Sequence, residues 1–116
     1  VDYNLLAKNV RTQWGAESKY RAAECYYHLG AIDTAEQEIM SFTSMQTSHQ
    51  YWLAKSLILL ADINVNRNDL FQAKQYLLAL QNNYRQADDI ATIIADKLEA
   101  IQQLETQQNT DTILTE

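Results

Sequence analysis

Cysteine and histidine are the residue types that most often carry metal binding or nucleophilic catalysis, and this chain has few of them. Its 116 residues include one cysteine, Cys25, and two histidines, His28 and His49. The sequence has no His-x-x-x-His or Glu-x-x-His pair, so the usual helical spacings of a metal site are missing. A single cysteine also excludes an internal disulfide and a metal site built from several cysteines. We therefore expect no metal and no cofactor.

Cys25 and His28 are three residues apart, a spacing that places them on one face of a helix. A nucleophile–base pair would also need an orienting third group and an oxyanion site, and the interior of a helix supplies no free backbone amides. We therefore do not expect an enzyme, and we interpret Cys25 as a buried or half-buried structural residue. Asp88 and Asp89 fit a helix N-terminus, where carboxylates favour the positive end of the helix dipole.

The composition favours long helices around a hydrophobic core. Residues of the set AVILMFWYC make up 47% of the chain, which contains no proline and only two glycines. An all-β domain needs many turn residues, so helices joined by short connections fit better. The longest strongly apolar run, 57–61, is far below the ~20 residues of a membrane span, and we expect no transmembrane segment. Because the chain starts at Val1 without a leader, we expect a processed chain or a piece of a longer protein.

The charge pattern argues against nucleic-acid binding. The net charge is −6, and the nine Lys and Arg residues are scattered along the chain. A protein that tracks phosphates needs these residues in clusters, so we expect no nucleic-acid partner. An acidic balance favours solubility and suits a basic partner.

Hydrophobic periodicity predicts six helical segments. They cover residues 2–13, 16–29, 32–43, 48–65, 70–83 and 88–107. Trp14-Gly15 is expected to end the first segment and Gly30 the second. The capping-box spacing of an acidic or hydroxyl residue three positions before Glu or Gln occurs at Asp33–Glu36, Thr47–Gln50 and Asp69–Gln72. The polar residues 106–116 are expected to be frayed or disordered.

The chain also repeats itself at an offset of 38 residues, which aligns Gly30 with Asn68. Both residue types tolerate the left-handed conformation found just after a helix end. The same offset aligns the pairs Ala22/Leu60, Ala23/Ala61, Ile32/Leu70, Ala35/Ala73, Ile39/Leu77 and Phe42/Leu80. Helices that cross about 8–10 Å apart often leave room for only a β-methyl group, so the paired alanines predict two helical hairpins held by close alanine contacts.

Residues 22–35, AAECYYHLGAIDTA, resemble the turn region of a tetratricopeptide repeat. That family has a small residue, a tyrosine three positions later, a glycine at the helix end, an apolar residue two beyond it and then alanine. Residues 60–73 resemble the pattern more loosely, with Asn64 and Asn68 in place of the tyrosine and glycine, and no closing proline. The offset also exceeds the family period of about 34 residues. The run 16–27 is similar to repeats of bacterial cell-envelope proteins, namely outer-membrane-assembly lipoproteins and the Tol–Pal coordinator.

The resemblance implies an all-α, right-handed α-solenoid of antiparallel hairpins with about six helices, and a periplasmic or cell-envelope location. One helical domain would cover residues 1–105, with a half repeat at 2–13, repeats at 16–43 and 48–83, a capping helix at 88–107 and a polar tail at 106–116. Its function would be a scaffold that binds a protein or peptide in a concave groove. The groove positions implied by the family pattern are Glu17, Tyr20, Glu24, Tyr27, His28, Lys55, Ile58 and Asp62.

The carboxylates of Glu17, Glu24 and Asp62 would make this groove mildly acidic and suited to a basic peptide. Tyrosine gives a large contact area at low rotamer cost, which favours a binding role. Alternatively, Tyr20 and Tyr27 are packing residues. A second alternative for the whole chain is a helical bundle that dimerises through apolar surfaces of the fourth and sixth segments, although the sequence favours a monomer.

Overall fold

A computed structural model describes the backbone of residues 13–44 and 49–115, and the side chains of 15–44 and 49–109 among them. Within these ranges the chain is helical and contains no strand, which confirms the all-α class. The five helices are α1 (Gln13–His28), α2 (Ile32–Thr43), α3 (Gln50–Asn66), α4 (Leu70–Asn83) and α5 (Ile90–Thr115). The first predicted segment, 2–13, lies outside the described residues apart from Gln13.

Two helical hairpins, α1–α2 and α3–α4, have the same turn. Gly30 has φ 84° and Asn68 has φ 60°, so both occupy the left-handed conformation predicted from the offset. The backbone hydrogen bonds that close the two helix ends are also equivalent. They are Gly30 N–Tyr27 O (3.1 Å) and Ala31 N–Tyr26 O (2.9 Å) in the first turn, and Asn68 N–Val65 O (2.9 Å) and Asp69 N–Asn64 O (2.8 Å) in the second.

Small buried residues lie where the helices of each hairpin meet. Ala23 is 1% exposed and Ala35 0%, and both belong to one buried cluster. Ala61 is 1% exposed and Ala73 0%, and both belong to a second cluster. The structure therefore places the paired alanines together, as the offset predicted.

Helix α3 is the centre of the molecule, because it packs against all four other helices. Its residues Leu60 and Ile63 belong to the cluster of the first hairpin, whereas Ala54 and Ala61 belong to the cluster of the second. Burial on more than one side explains why apolar residues surround most of this helix. In addition, Trp52 packs over Ala16 and Phe42 and so covers the open end of the first hairpin.

Two predicted helix boundaries are wrong. Trp14-Gly15 does not end a helix, because α1 begins at Gln13 and runs through both residues. The predicted capping box of Asp33 and Glu36 does not form either, because the N-cap of α2 is Ala31. Both carboxylates pair instead with the guanidinium of Arg67, which lies just after α3.

The other predicted helix starts have mixed outcomes. Asp69 is the N-cap of α4 and accepts a hydrogen bond from the amide of Gln72 at 3.2 Å, as predicted. The N-cap of α3 is His49, and Thr47 lies outside the described residues. Helix α5 begins at Ile90 instead of Asp88, and the Asp88 carboxylate accepts a bond from the Ile90 amide at 3.0 Å.

Helix α5 extends well past its predicted end, since it runs to Thr115 and not to Gln107. The predicted frayed tail is therefore wrong for the backbone of residues 106–115. Counting a further 38 residues from Gly30 and Asn68 leads to Thr106. A β-branched residue adopts φ > 0 only with strain, so the helix has no stop signal at this position and continues.

Up to that point α5 corresponds to a third copy of α1 and α3. The Arg67–Glu36 ion pair (2.9 Å) joins α2 to the end of α3, and Glu105–Lys74 (2.8 Å) joins α4 to α5 at the same offset, with the charges exchanged. However, the face that α3 presents to its own hairpin partner is polar and exposed in α5. Thr92, Asp96, Glu99 and Gln103 are exposed where α3 has Ala54, Ile58, Ala61 and Val65.

Candidate functional site

A cleft of ≈ 290 Å³, here called the three-helix cleft, lies between α1, α3 and α5. Its lining residues are Tyr20, Glu24, Tyr27, His28, Lys55, Ile58, Leu59, Asp62, Ile93 and Lys97. Seven of the eight residues predicted for a groove therefore lie around one cavity, and Glu17 is not among its lining. The cleft forms because equivalent helices of successive units lie side by side.

Apolar side chains form the floor of the three-helix cleft. Tyr20, Ile58 and Leu59 are 6%, 5% and 6% exposed. Tyr20 belongs to the buried cluster of the first hairpin, so its ring packs as one alternative from the sequence proposed. Its hydroxyl donates to a carboxylate oxygen of Glu24 at 2.9 Å. Burial, together with this bond and the Glu24 charge, raises the pKa of Tyr20 well above its ordinary value, so it remains a neutral donor.

Arg21 occupies the carboxylates that were expected to make the groove acidic. Its Nη1 lies 3.1 Å from Glu24 and its Nε lies 3.5 Å from Glu17. The guanidinium also lies 5.5 Å from the ring centre of Tyr20 and 5.6 Å from that of Trp52, within cation–π distance. Glu17 is thus the outer member of an ion-pair network beside the cleft.

Asp62 is also paired, through Lys97 Nζ at 2.9 Å. Lys55 places its ammonium 5.6 Å from the ring centre of Tyr20. The cleft lining therefore carries two carboxylates, Glu24 and Asp62, and two ammonium groups, Lys55 and Lys97. The predicted acidic groove is wrong, because the charges of the lining balance when His28 is neutral.

Tyr27 and His28 form the end of the cleft next to the turn. Tyr27 is half-buried and His28 is exposed at the last residue of α1. Their ring centres are 5.6 Å apart with an edge-to-face arrangement. This end therefore offers an aromatic surface with polar tips, which is suited to contact with another polypeptide.

Three lining residues were missed from the sequence: Leu59, Ile93 and Lys97. Ile93 and Lys97 lie 38 residues after Lys55 and Leu59, so a third application of the repeat offset would have found them. The sequence argument treated the last helix only as a cap. In the structure, this helix forms one wall of the cleft.

Cys25 is exposed, and the prediction of a buried or half-buried cysteine is wrong. Its equivalent in the second hairpin, Ile63, is fully buried because the first hairpin covers it. Among the residues described, no three His, Cys, Asp or Glu side chains come together in a way that could hold a metal ion. Nor does any helix in this part of the chain have the length and apolar character needed to cross a membrane.

A second cavity of ≈ 240 Å³ lies between the start of α3 and the end of α4. Its lining is mostly apolar and includes Leu53, Leu57, Leu80, Tyr76 and Tyr84. None of the predicted groove residues contributes to it.

No protein-family model matches the chain, and neither does any curated protein or solved structure. Arguments about function therefore depend on the repeat and on the side chains of the cleft.

Proposed function

We propose that this chain is a protein-interaction module in which tetratricopeptide-like hairpins stack as a right-handed α-solenoid and bind a protein or peptide segment in the three-helix cleft. The observation that carries the proposal is the cleft itself, which gathers seven of the residues implied by the family pattern. Its apolar floor and charged rim are typical of a surface that recognises polypeptide.

The equivalence of the hairpins supports the solenoid. Repeat proteins stack units so that each unit contacts its neighbours through the same surface. Here the two turns share their left-handed residue and their hydrogen bonds, and the Arg67–Glu36 and Glu105–Lys74 pairs occupy equivalent positions between units. The cell-envelope location is part of this proposal only through the resemblance of residues 16–27.

The polar face of α5 supports its assignment as a capping helix. A terminal repeat needs a polar outer face, because no further unit covers it. Thr92, Asp96, Glu99 and Gln103 provide such a face. Binding at the cleft would then need the inner surfaces of all three units but no fourth unit after them.

A binding role also fits the chemistry of the cleft better than catalysis. The carboxylates of Glu24 and Asp62 are held in ion pairs, and the Tyr20 hydroxyl is committed to Glu24. A general base or nucleophile must be able to exchange a proton with a substrate, and groups in such pairs are held in one protonation state. We therefore propose no enzymatic activity, no cofactor and no nucleic-acid partner.

Site-specific photo-crosslinking in cells of the source organism tests the proposal. A benzophenone amino acid replaces Tyr27 in the cleft, and the matched control carries it at Gln81, which is exposed on α4. We expect a discrete protein adduct from position 27 and none from position 81. Equal adducts from both positions, or no adduct from position 27, would refute the cleft as the binding site.

The dimerising bundle needs apolar surface on α3, and the packing leaves little of it. The exposed large hydrophobic residues of the described chain are Leu29, Met40, Phe71 and Leu104, none of which lies on α3. We expect light scattering at micromolar concentration to report a monomer. A concentration-independent dimer would favour the bundle instead.

A further inference from the structure

The charged groups of the three-helix cleft differ in how far their own neighbours satisfy them. Glu24 is bound by the Tyr20 hydroxyl at 2.9 Å and by Arg21 at 3.1 Å. Asp62 is bound by Lys97 at 2.9 Å. Both carboxylates of the lining are therefore engaged, and a ligand would have to break existing bonds to use them.

Lys55 is the exception. Its ammonium lies over the Tyr20 ring, 5.6 Å from the ring centre, and no carboxylate among the described side chains lies within 4 Å of it. A cation–π contact leaves the N–H donors of an ammonium group available. The cleft thus presents one cation without a counter-ion beside an apolar floor of Ile58 and Leu59.

We infer that the segment bound in the cleft carries a carboxylate side chain that pairs with Lys55, next to apolar residues that cover Ile58 and Leu59. This inference depends on the binding role proposed above and reverses the basic partner expected from the sequence. Partial burial lowers the effective dielectric, so an ion pair at this position contributes more than one on an open surface. The net charge of −6 repels a run of acidic residues, so a single carboxylate fits better than an acidic tract.

Selection from a library of random twelve-residue peptides displayed on phage tests the inference. We expect peptides selected on the wild-type domain to share one Asp or Glu with apolar neighbours. Selection on the Lys55→Glu variant is expected to exchange that acidic residue for Lys or Arg. The matched control is Arg85→Glu, which makes the same change of net charge at an exposed position outside the cleft and should leave the preference unchanged.

Lys55→Gln provides a second, milder variant whose fold is checked by circular dichroism. A synthetic peptide from the wild-type selection should bind this variant about tenfold more weakly, because an ion pair of ~1.4 kcal/mol corresponds to that factor. Replacing the acidic residue of the peptide by Gln should cause the same loss with wild type and no further loss with Lys55→Gln.

The possible outcomes distinguish the two proposals. Peptides that compete with the crosslink from position 27 but show no acidic preference, or whose preference survives Lys55→Glu, overturn the inference and leave the binding role standing. Selection of basic peptides by wild type does the same. Failure of the wild-type domain to select any peptide, together with no crosslink from position 27, overturns the binding role and the inference with it.

Discussion

The two hairpins share their turns and their buried alanines but differ in the side chains that close them. In the first hairpin Lys19 and Glu38 form an ion pair at 2.8 Å, with side chains only 10% and 24% exposed. In the second, the residues 38 positions later are Leu57 and Tyr76, which pack as half-buried hydrophobic residues. The comparison shows that the hairpin depends on its turn and its small residues, whereas a pair of facing positions can be charged or apolar if both members change together.

The contacts between units teach the same lesson. Arg67 pairs with Glu36, and the equivalent pair Glu105–Lys74 has the opposite arrangement of charge. A hairpin stacked in the wrong order would therefore bring like charges together, which is destabilising. The stacking geometry is constant, and the side chains at each contact identify the correct neighbour.

The largest effect is expected where the hairpins are most alike. Ala73→Leu should lower the free energy of unfolding by roughly 1–3 kcal/mol, because the added atoms have no room at the crossing of α3 and α4. Ala35→Leu should cost a similar amount in the first hairpin. Urea denaturation measures both, and Ala79→Leu, exposed on α4, should change stability by less than about 0.5 kcal/mol. A neutral Ala73→Leu would refute the close crossing.

The closing pairs offer the next effect. Lys19→Leu should destabilise the domain by about 1–2 kcal/mol, because Glu38 loses its counter-ion in a partly buried position. Lys19→Leu with Glu38→Tyr copies the second hairpin and should recover most of that loss. Thermal unfolding of the single and double variants gives the coupling between the two positions. Additive losses would mean that the hairpins are closed by unrelated contacts.

The turns should differ by less. Gly30→Ala is expected to cost about 1 kcal/mol, because alanine at φ 84° is strained although its added Cβ would meet no atom within 4 Å. Asn68→Gly should be neutral or stabilising by a few tenths of a kcal/mol, since glycine needs no Cβ at the same conformation. Denaturation midpoints of the two variants rank the turns. A gain in stability from Gly30→Ala would contradict the left-handed turn.

Charge exchange between units should have the smallest effect. Arg67→Glu places three carboxylates together, and its partner variant Glu36→Lys restores an opposite pair. The coupling energy from the double-mutant cycle should be about 0.2–1 kcal/mol and should fall with added salt, because Arg67 and Glu36 are partly exposed. Absence of coupling at low salt would show that these charges do not guide stacking.

Local signals made much of the fold predictable. Gly30, Asn68 and Asp69 are determined by the backbone conformation of their own turns, and the alanine pairs follow from helix packing at a fixed offset. The same offset also aligns Trp14, Ala16 and Ser18 with Trp52, Ala54 and Ser56, which the sequence argument did not use. The two serines are 4% and 0% exposed, and Ser56 donates to the Trp52 carbonyl at 2.9 Å.

Contacts between distant residues decided the rest. Asp33 and Glu36 have the spacing of a capping box, but Arg67 lies close enough to bind both. Cys25 is exposed and Ile63 buried at equivalent positions, because only Ile63 has a hairpin packed over it. Residue type and spacing record what a segment can do by itself. Which neighbour each face meets, and so which charges of the cleft are already paired, depends on how the units stack.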